Sequence, residues 1–90
     1  MIDENSQSLL EFPCTFPIKI MGRNAPDFQA RVVAMVQRHA PEISSAAVQV
    51  RPSGKGNYLA VTVTIEARSQ EQLDAIYRDL TAAEDILMAL

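Results

Sequence analysis

The residue types best suited to catalysis or metal binding are scarce in this sequence, which has one cysteine and one histidine among 90 residues. Cys14 has no partner for an internal disulfide, and a reactive thiolate would need a basic neighbourhood, for which Lys19 is the nearest cation in sequence. His39 has no second histidine to share a metal ion with it. We therefore predict a structural cysteine, a capping or packing histidine, no catalytic or metal-binding residue, no cofactor and no enzymatic activity.

The segment SGKGN, residues 53–57, is the one that resembles a phosphate-binding loop. It lacks the spacing and the Lys-Ser/Thr ending of the P-loop motif, and it precedes a strand where a helix N-terminus would be needed. We predict instead a hairpin turn whose glycines adopt positive φ. Arg51 and Lys55 lie in a stretch without acidic residues, so weak anion binding at this turn is an open alternative.

The composition is that of a globular protein, with 48% hydrophobic residues, 21% charged residues and a net charge of −3. An acidic balance argues against nucleic acid and anionic membrane as partners unless a local basic patch is present. No apolar run approaches the roughly 20 residues of a membrane span, and residues 1–13 do not resemble a signal peptide. We expect a cytoplasmic protein with a flexible N-terminus over 1–8 and a single domain over 9–90.

The most regular segment is 58–67, in which apolar and more polar residues alternate as in a half-buried strand. Two amphipathic patterns, one on each side of it in sequence, predict the helices that cover its apolar face. In the first, Asn24 is the predicted N-cap, Phe28 opens the apolar stripe and Pro41 stops the helix. In the second, Ser69 and Gln72 form a capping box.

Three further strands complete the prediction. The first covers residues 16–21, with pairing expected from Ile18 because Pro17 cannot donate a ladder hydrogen bond. The second is a short edge strand around Val48 and Val50 that Pro52 terminates, and the fourth covers 86–90. The order β-α-β-β-α-β predicts an α+β, ferredoxin-like plait, which is a four-stranded antiparallel sheet in the order 4-1-3-2 with both helices on one face.

The uncovered face of that sheet is predicted to carry Lys19, Met21, Ala60, Thr62 and Thr64. The RNA-recognition motif shares this topology but stacks bases on aromatic residues of its two central strands. Here the third strand offers only Tyr58, at its start. We therefore expect no nucleic-acid partner and no membrane partner.

Several segments resemble the YbeD-like family of small uncharacterised bacterial proteins. They are LEFP at 10–13, IKIMG at 18–22, QRHAP at 37–41 and SGKGNY at 53–58, and the resemblance runs in register from about Leu9 to Leu90. It implies the ferredoxin-like fold and a similarity to ACT-type regulatory domains, which are dimeric sensors of small molecules. A link to lipoate metabolism is also suggested for the family.

The leading hypothesis is a non-enzymatic, ACT-like regulatory module that senses a small ligand or modulates an enzyme. It would form a homodimer through the sheet, by an edge strand or by the open face. In ACT-type domains the loop after the first strand meets the ligand at the dimer interface. By that analogy, the predicted ligand-binding residues are Gly22, Arg23, Asn24 and Asp27.

The alternative hypothesis is an adaptor that binds a partner protein through the hairpin and the open sheet face. The predicted partner-binding residues are Arg51, Ser53, Gly54, Lys55, Gly56, Asn57 and Tyr58.

Overall fold

A computed structural model describes residues 10–90 of the chain. The predicted flexible segment 1–8, and Leu9, lie outside these residues. The elements are β1 (Cys14–Arg23), α1 (Phe28–Gln37), β2 (Val48–Ser53), β3 (Tyr58–Ala67), α2 (Gln70–Thr81) and β4 (Ile86–Ala89), with a 3-10 turn at Ser45–Ala47 before β2.

The four strands form one antiparallel sheet in the order β2-β3-β1-β4, as predicted from the sequence. Both helices pack on one face of this sheet, which confirms the ferredoxin-like α+β fold. The core between the layers is apolar because alternate residues of β1 and β3 face the apolar stripes of the helices. Its largest fully buried side chains are Phe28, Ile18, Ile20, Leu73, Ile76, Leu80, Val32, Val36, Val61 and Val63.

Both strand prolines lie inside their strands, whereas the sequence placed them at or before the strand ends. The N–H of Lys19 donates to the carbonyl of Leu90 in a 3.1 Å hydrogen bond, so odd residues of β1 direct their backbone groups toward β4. Pro17 therefore faces the β4 side before that pairing begins. By the same alternation, the nitrogen of Pro52 faces away from β3, at the outer edge of the sheet. Neither proline interrupts a hydrogen bond of the ladder, so β1 begins at Cys14 and β2 continues to Ser53.

The prediction of Asn24 as the N-cap of α1 is wrong. The helix begins at Phe28, and Asp27 occupies the cap position without a side-chain cap hydrogen bond. Asn24 instead continues the β1–β3 pairing, because its N–H donates to the carbonyl of Asn57 at 3.0 Å. Its side-chain amide donates to the carbonyl of Gly56 at 2.9 Å. Asn24 thus fastens the β1–α1 loop to the hairpin between β2 and β3.

Ser69 is confirmed as the N-cap of α2, whereas Gln72 reaches back to Arg68, one residue before the cap, and has a second role. The hydroxyl oxygen of Ser69 accepts from the backbone N–H of Gln72 at 3.1 Å, and the side-chain Oε1 of Gln72 accepts from the backbone N–H of Arg68 at 2.6 Å. The Gln72 amide donates to the backbone carbonyl of His39 at 2.8 Å. The start of α2 is therefore tied to the chain just after the end of α1.

Candidate functional site

The side of the sheet opposite the helices, called the open face below, carries three cations. Residues paired across antiparallel strands point to the same side, so the pairings define rows across this face. Lys19 is paired with Thr62, and Arg23 is paired with Tyr58. Ala60 is paired with Met21 on one side and with Arg51 on the other, so these three residues form one row. The sequence placed Lys19 on this face. Arg23 and Arg51 join it because β1 runs to Arg23 and β2 pairs in register with β3.

These three cations and Lys55 form no ion pair with any residue from 10 to 90. On the helix side of the molecule, by contrast, Arg31 pairs with Asp27 at 3.1 Å and also with Asp85. Arg68 likewise pairs there with Glu42 at 3.1 Å. A chain with a net charge of −3 therefore presents positive charge on its open face.

Glu66 is the acidic residue of β3 on the open face, where it is paired with Thr15 at the far end of the sheet. Glu66 lies six positions after Ala60 along β3, which is about 20 Å at the rise of an extended strand. Glu66 is therefore too distant to neutralise Arg51 beside Ala60, and the positive end of the face is the end near the hairpin.

Two shallow grooves run along the middle of the open face and share Lys19, Ala60 and Thr62. The smaller, about 140 Å³, is apolar and lies between β1, β3 and β4. The larger, about 600 Å³, is polar and lies between β1, β3 and β2. Met88 beside the apolar groove is 49% exposed, and Leu90 is 66% exposed. The face therefore has an exposed apolar strip formed by Met21, Ala60, Met88 and Leu90, with Lys19 lining the same groove and Arg51 beside Ala60. Exposed methionine and arginine side chains are typical of a protein-binding surface.

The four residues predicted to bind a ligand have different environments. Gly22 is buried, and a β-carbon there would overlap with the carbonyl of Asp85 and the ring of Phe28. The side chain of Asn24 is bonded to the hairpin, and Asp27 is paired with Arg31. Arg23 is exposed and belongs to the open face.

The structure brings this loop and the predicted partner-binding hairpin together into one surface. Arg23 and Tyr58 are cross-strand neighbours, and Asn24 bonds to the turn itself. The turn residues Gly54, Lys55 and Gly56 have φ of 57°, 58° and 87°, which confirms the predicted positive φ of both glycines. Gly54 has to lack a side chain because a β-carbon would lie 2.7 Å from the ring of Tyr58.

Two polar contacts with shifted pKa values lie on the helix side. The hydrogen bond from Arg31 holds the pKa of Asp85 below its ordinary range. The Nε2 atom of His39 lies 2.7 Å from Asp79 Oδ2, and this hydrogen bond lowers the pKa of Asp79. Asp79 lies on α2 and His39 just after α1, so this contact holds the two helices together.

Across residues 10–90, no three histidine, cysteine, aspartate or glutamate side chains are grouped as a metal site would require. Neither helix in that part of the chain has the length and apolarity needed to cross a lipid bilayer.

Comparison with known proteins identifies the family. Residues 7–90 match the family described as "Protein of unknown function (DUF493)". A UPF0250 protein of Neisseria gonorrhoeae is 48% identical over 87 residues, which are 97% of this chain and 96% of that protein. A UPF0250 protein of Paraburkholderia phytofirmans is 51% identical over 76 residues, which are 84% of this chain and 85% of that protein.

A solved structure has the same fold at low sequence identity. The solution structure of protein HP0495 from H. pylori has a TM-score of 0.66 with this chain. The superposed region covers 90% of this chain and 85% of the HP0495 chain. At 10% identity, this is a likeness of fold alone. The chain therefore belongs to the DUF493 (UPF0250) family of small bacterial proteins, which matches the YbeD-like resemblance of its sequence.

Proposed function

We propose that this member of the DUF493 family is a non-enzymatic adaptor that binds a partner protein on its open face. The observation that carries the proposal is the group formed by Lys19, Arg23 and Arg51, which have no acidic partner among residues 10–90 and border an exposed apolar strip. Apolar contacts at the centre of such a surface supply affinity, while charges at its margin steer a complementary partner and exclude others. The partner surface is accordingly negatively charged.

A protein is favoured over a single-stranded nucleic acid as the partner. Base recognition on an open sheet depends on several aromatic rings that stack with successive bases. The aromatic residue of β3 is Tyr58, which is half-buried with its ring against Gly54. The remaining central residues, including Ala60, Thr62 and Met21, offer small or aliphatic contacts that suit a protein surface.

The test compares capture of partners from a bacterial lysate by the whole chain and by two double variants of equal net charge. Lys19→Glu with Arg23→Glu reverses the charge of the open face, whereas Arg68→Glu with Arg78→Glu makes the same change on the helix side. We expect the wild type and the helix-side variant to capture a partner protein that the open-face variant does not capture. Nuclease treatment should leave this capture unchanged. Equal capture by all three proteins, or capture that nuclease abolishes, would contradict the proposal.

A second candidate function is ACT-like sensing of a small ligand by a homodimer. Its support is the resemblance of the sequence, together with the way Asn24 joins the β1–α1 loop and the hairpin into one surface. Arg23 and Lys55 are exposed cations of that surface, so they are the residues expected to meet an anionic ligand. A thermal-shift screen of amino acids and lipoate-related metabolites, with light scattering for the oligomeric state, tests it. A monomer that no compound stabilises would eliminate this candidate.

A further inference from the structure

The outer edge of β2 is a strand edge without a neighbouring strand among residues 10–90. The alternation described above directs the backbone groups of Val48, Val50 and Pro52 away from β3. The N–H of Val48 is bonded to Ser45, and Pro52 has no N–H. The edge therefore offers one donor, at Val50, and three carbonyl acceptors, which is enough for a short added strand.

A groove lies beside this edge on the helix side of the sheet. Its volume is about 430 Å³, and it is lined by residues just before and within α1, by the 3-10 turn and by the start of β2, namely Pro26, Gln29, Ala30, Val33, Ser45 and Val48. Val50 points to the same side as Val48, and it is 38% exposed. Alternate side chains of an added strand would lie beside Val50 and in this groove. If these side chains were apolar, they would shield Val50 and the groove from water.

The other side chains of an added strand would lie on the open-face side, beside Gln49 and Arg51. Arg51 has no acidic partner among residues 10–90, so an acidic cross-strand neighbour would complement it. A second copy of β2 cannot supply that charge, since β2 has the sequence VQVRPS and contains no acid. Charge complementarity therefore favours a different chain.

We propose that the β2 edge binds an extended segment of a partner protein in which apolar and acidic residues alternate. The segment adds a fifth strand to the sheet, with its apolar side chains toward α1 and its acidic side chains beside Arg51. This site shares Arg51 with the proposed adaptor surface, but it can be tested apart from it, because the edge and its groove can be altered without changing Lys19 or Arg23.

The probe is a fluorescent six-residue peptide, matched to the length of β2, in which valine and glutamate alternate. Its controls are a peptide of the same composition with the valines and glutamates in two blocks, and an alternating valine–lysine peptide. Fluorescence anisotropy with the whole chain should show binding of the alternating valine–glutamate peptide. We expect both controls to bind at least about tenfold more weakly, since one loses the face pattern and the other the charge.

Two variants test the location. Val50→Pro removes the outward N–H of the edge, which is not part of the β2–β3 ladder, and should weaken binding about tenfold. Ala30→Glu places a charge in the groove from an exposed position of α1 and should weaken binding similarly. The matched control is Ala82→Glu, the same change at an exposed position just after α2, which should leave peptide affinity unchanged. Circular dichroism verifies the fold, and Ala30→Glu decides the location if Val50→Pro does not fold.

The proposal is overturned if the block peptide binds as well as the alternating one, or if the folded edge and groove variants bind like the wild type. It is also overturned if Val50→Pro converts a dimer to a monomer in light scattering, since the occupant would then be a second copy. If the wild type bound no peptide while the Lys19 and Arg23 variant lost its partner from the lysate, the adaptor surface would stand and the edge site would be overturned. The two proposals can therefore fail separately.

Discussion

Gly22 illustrates how a residue in a candidate ligand loop can be required by packing. A methyl group at this position would meet the backbone of Asp85 and the ring of Phe28, and neither can move without disturbing β4 or the core. We expect Gly22→Ala to lower the free energy of unfolding by about 1–3 kcal/mol, as for overpacked cores. Urea denaturation measures this change.

The control for that substitution is Gly56→Ala. Gly56 has a φ of 87°, but a β-carbon there would meet nothing within 4 Å, so only backbone strain opposes the change. We expect a loss of about 1 kcal/mol or less. If Gly22→Ala were as mild as Gly56→Ala, the close approach of Asp85 and Phe28 to Gly22 would be wrong.

The contact between His39 and Asp79 should give the fold a pH-dependent contribution from Asp79. Because the folded-state pKa of Asp79 lies below its ordinary value of 3.8, this contribution is full above pH 3.8 and is lost as the pH falls through the lowered pKa. Arg38 and Arg78 act in the same direction through their charges. Both partners are partly exposed, so we expect Asp79→Asn to cost less than about 1 kcal/mol at neutral pH.

Chemical denaturation at a series of pH values measures that difference. The stabilities of wild type and Asp79→Asn should converge in acid, because a protonated aspartate and an asparagine are both neutral. Asp74→Asn on the same helix is the control, since within residues 10–90 the side chain of Asp74 accepts a hydrogen bond only from Gln70, four positions earlier. A difference for Asp79→Asn that persists at pH 2 would contradict the role of its charge.

At the scale of elements, Gln72 connects the start of α2 to His39, just after α1, through its amide nitrogen, while its amide oxygen accepts from Arg68. Gln72→Glu keeps the oxygen that accepts from Arg68 but replaces the donor to the carbonyl of His39 with a second oxygen. We expect a loss of about 1–2 kcal/mol of unfolding free energy, measured in urea, because two acceptors would then face each other. Gln29→Glu, the same change in the exposed first turn of α1, should be near neutral, and equal effects would contradict the connection.

The elements that the sequence predicted well are those with local determinants. The alternation of β3 and the N-cap at Ser69 depend on residues within a few positions, and the structure retains both. Pro17 and Pro52 were placed less well because a proline's compatibility with a strand depends on which neighbour its nitrogen faces. That direction is set by pairing between distant segments, which periodicity does not reveal.

The same distinction applies to the candidate site. Asn24 has a strong N-cap preference, but its hydrogen bonds with a hairpin 32 residues away prevail over that local signal. Lys19 was expected on the open face from its own strand. Arg23 and Arg51 could be assigned to the open face only once the register of β1, β2 and β3 was known. Both are odd-numbered, like the other residues of their strands that point to this face.

At the scale of the whole molecule, the distribution of charged residues between the two sides is more informative than the net charge. The helix side holds the paired cations Arg31 and Arg68 with their acids, while the open face holds cations without such partners. Residues 10–90 therefore combine an acidic helix side with a basic sheet side. Such a molecule repels polyanions at long range, yet it can orient toward a negatively charged surface at close range, where salt screens the distant charges.

This asymmetry predicts chromatographic behaviour opposite to that expected from the net charge. At neutral pH and low salt, we expect the wild-type chain to be retarded on a sulfonate cation exchanger through the open face. Lys19→Glu with Arg51→Glu should abolish this retention, whereas Arg68→Glu with Arg78→Glu, which has the same net charge, should preserve most of it. Because exposed charges are screened within about 10 Å at 0.1 M salt, the retention should vanish as salt is raised. If the two double variants eluted together, the net charge would govern binding, and the open face would not be a distinct basic surface.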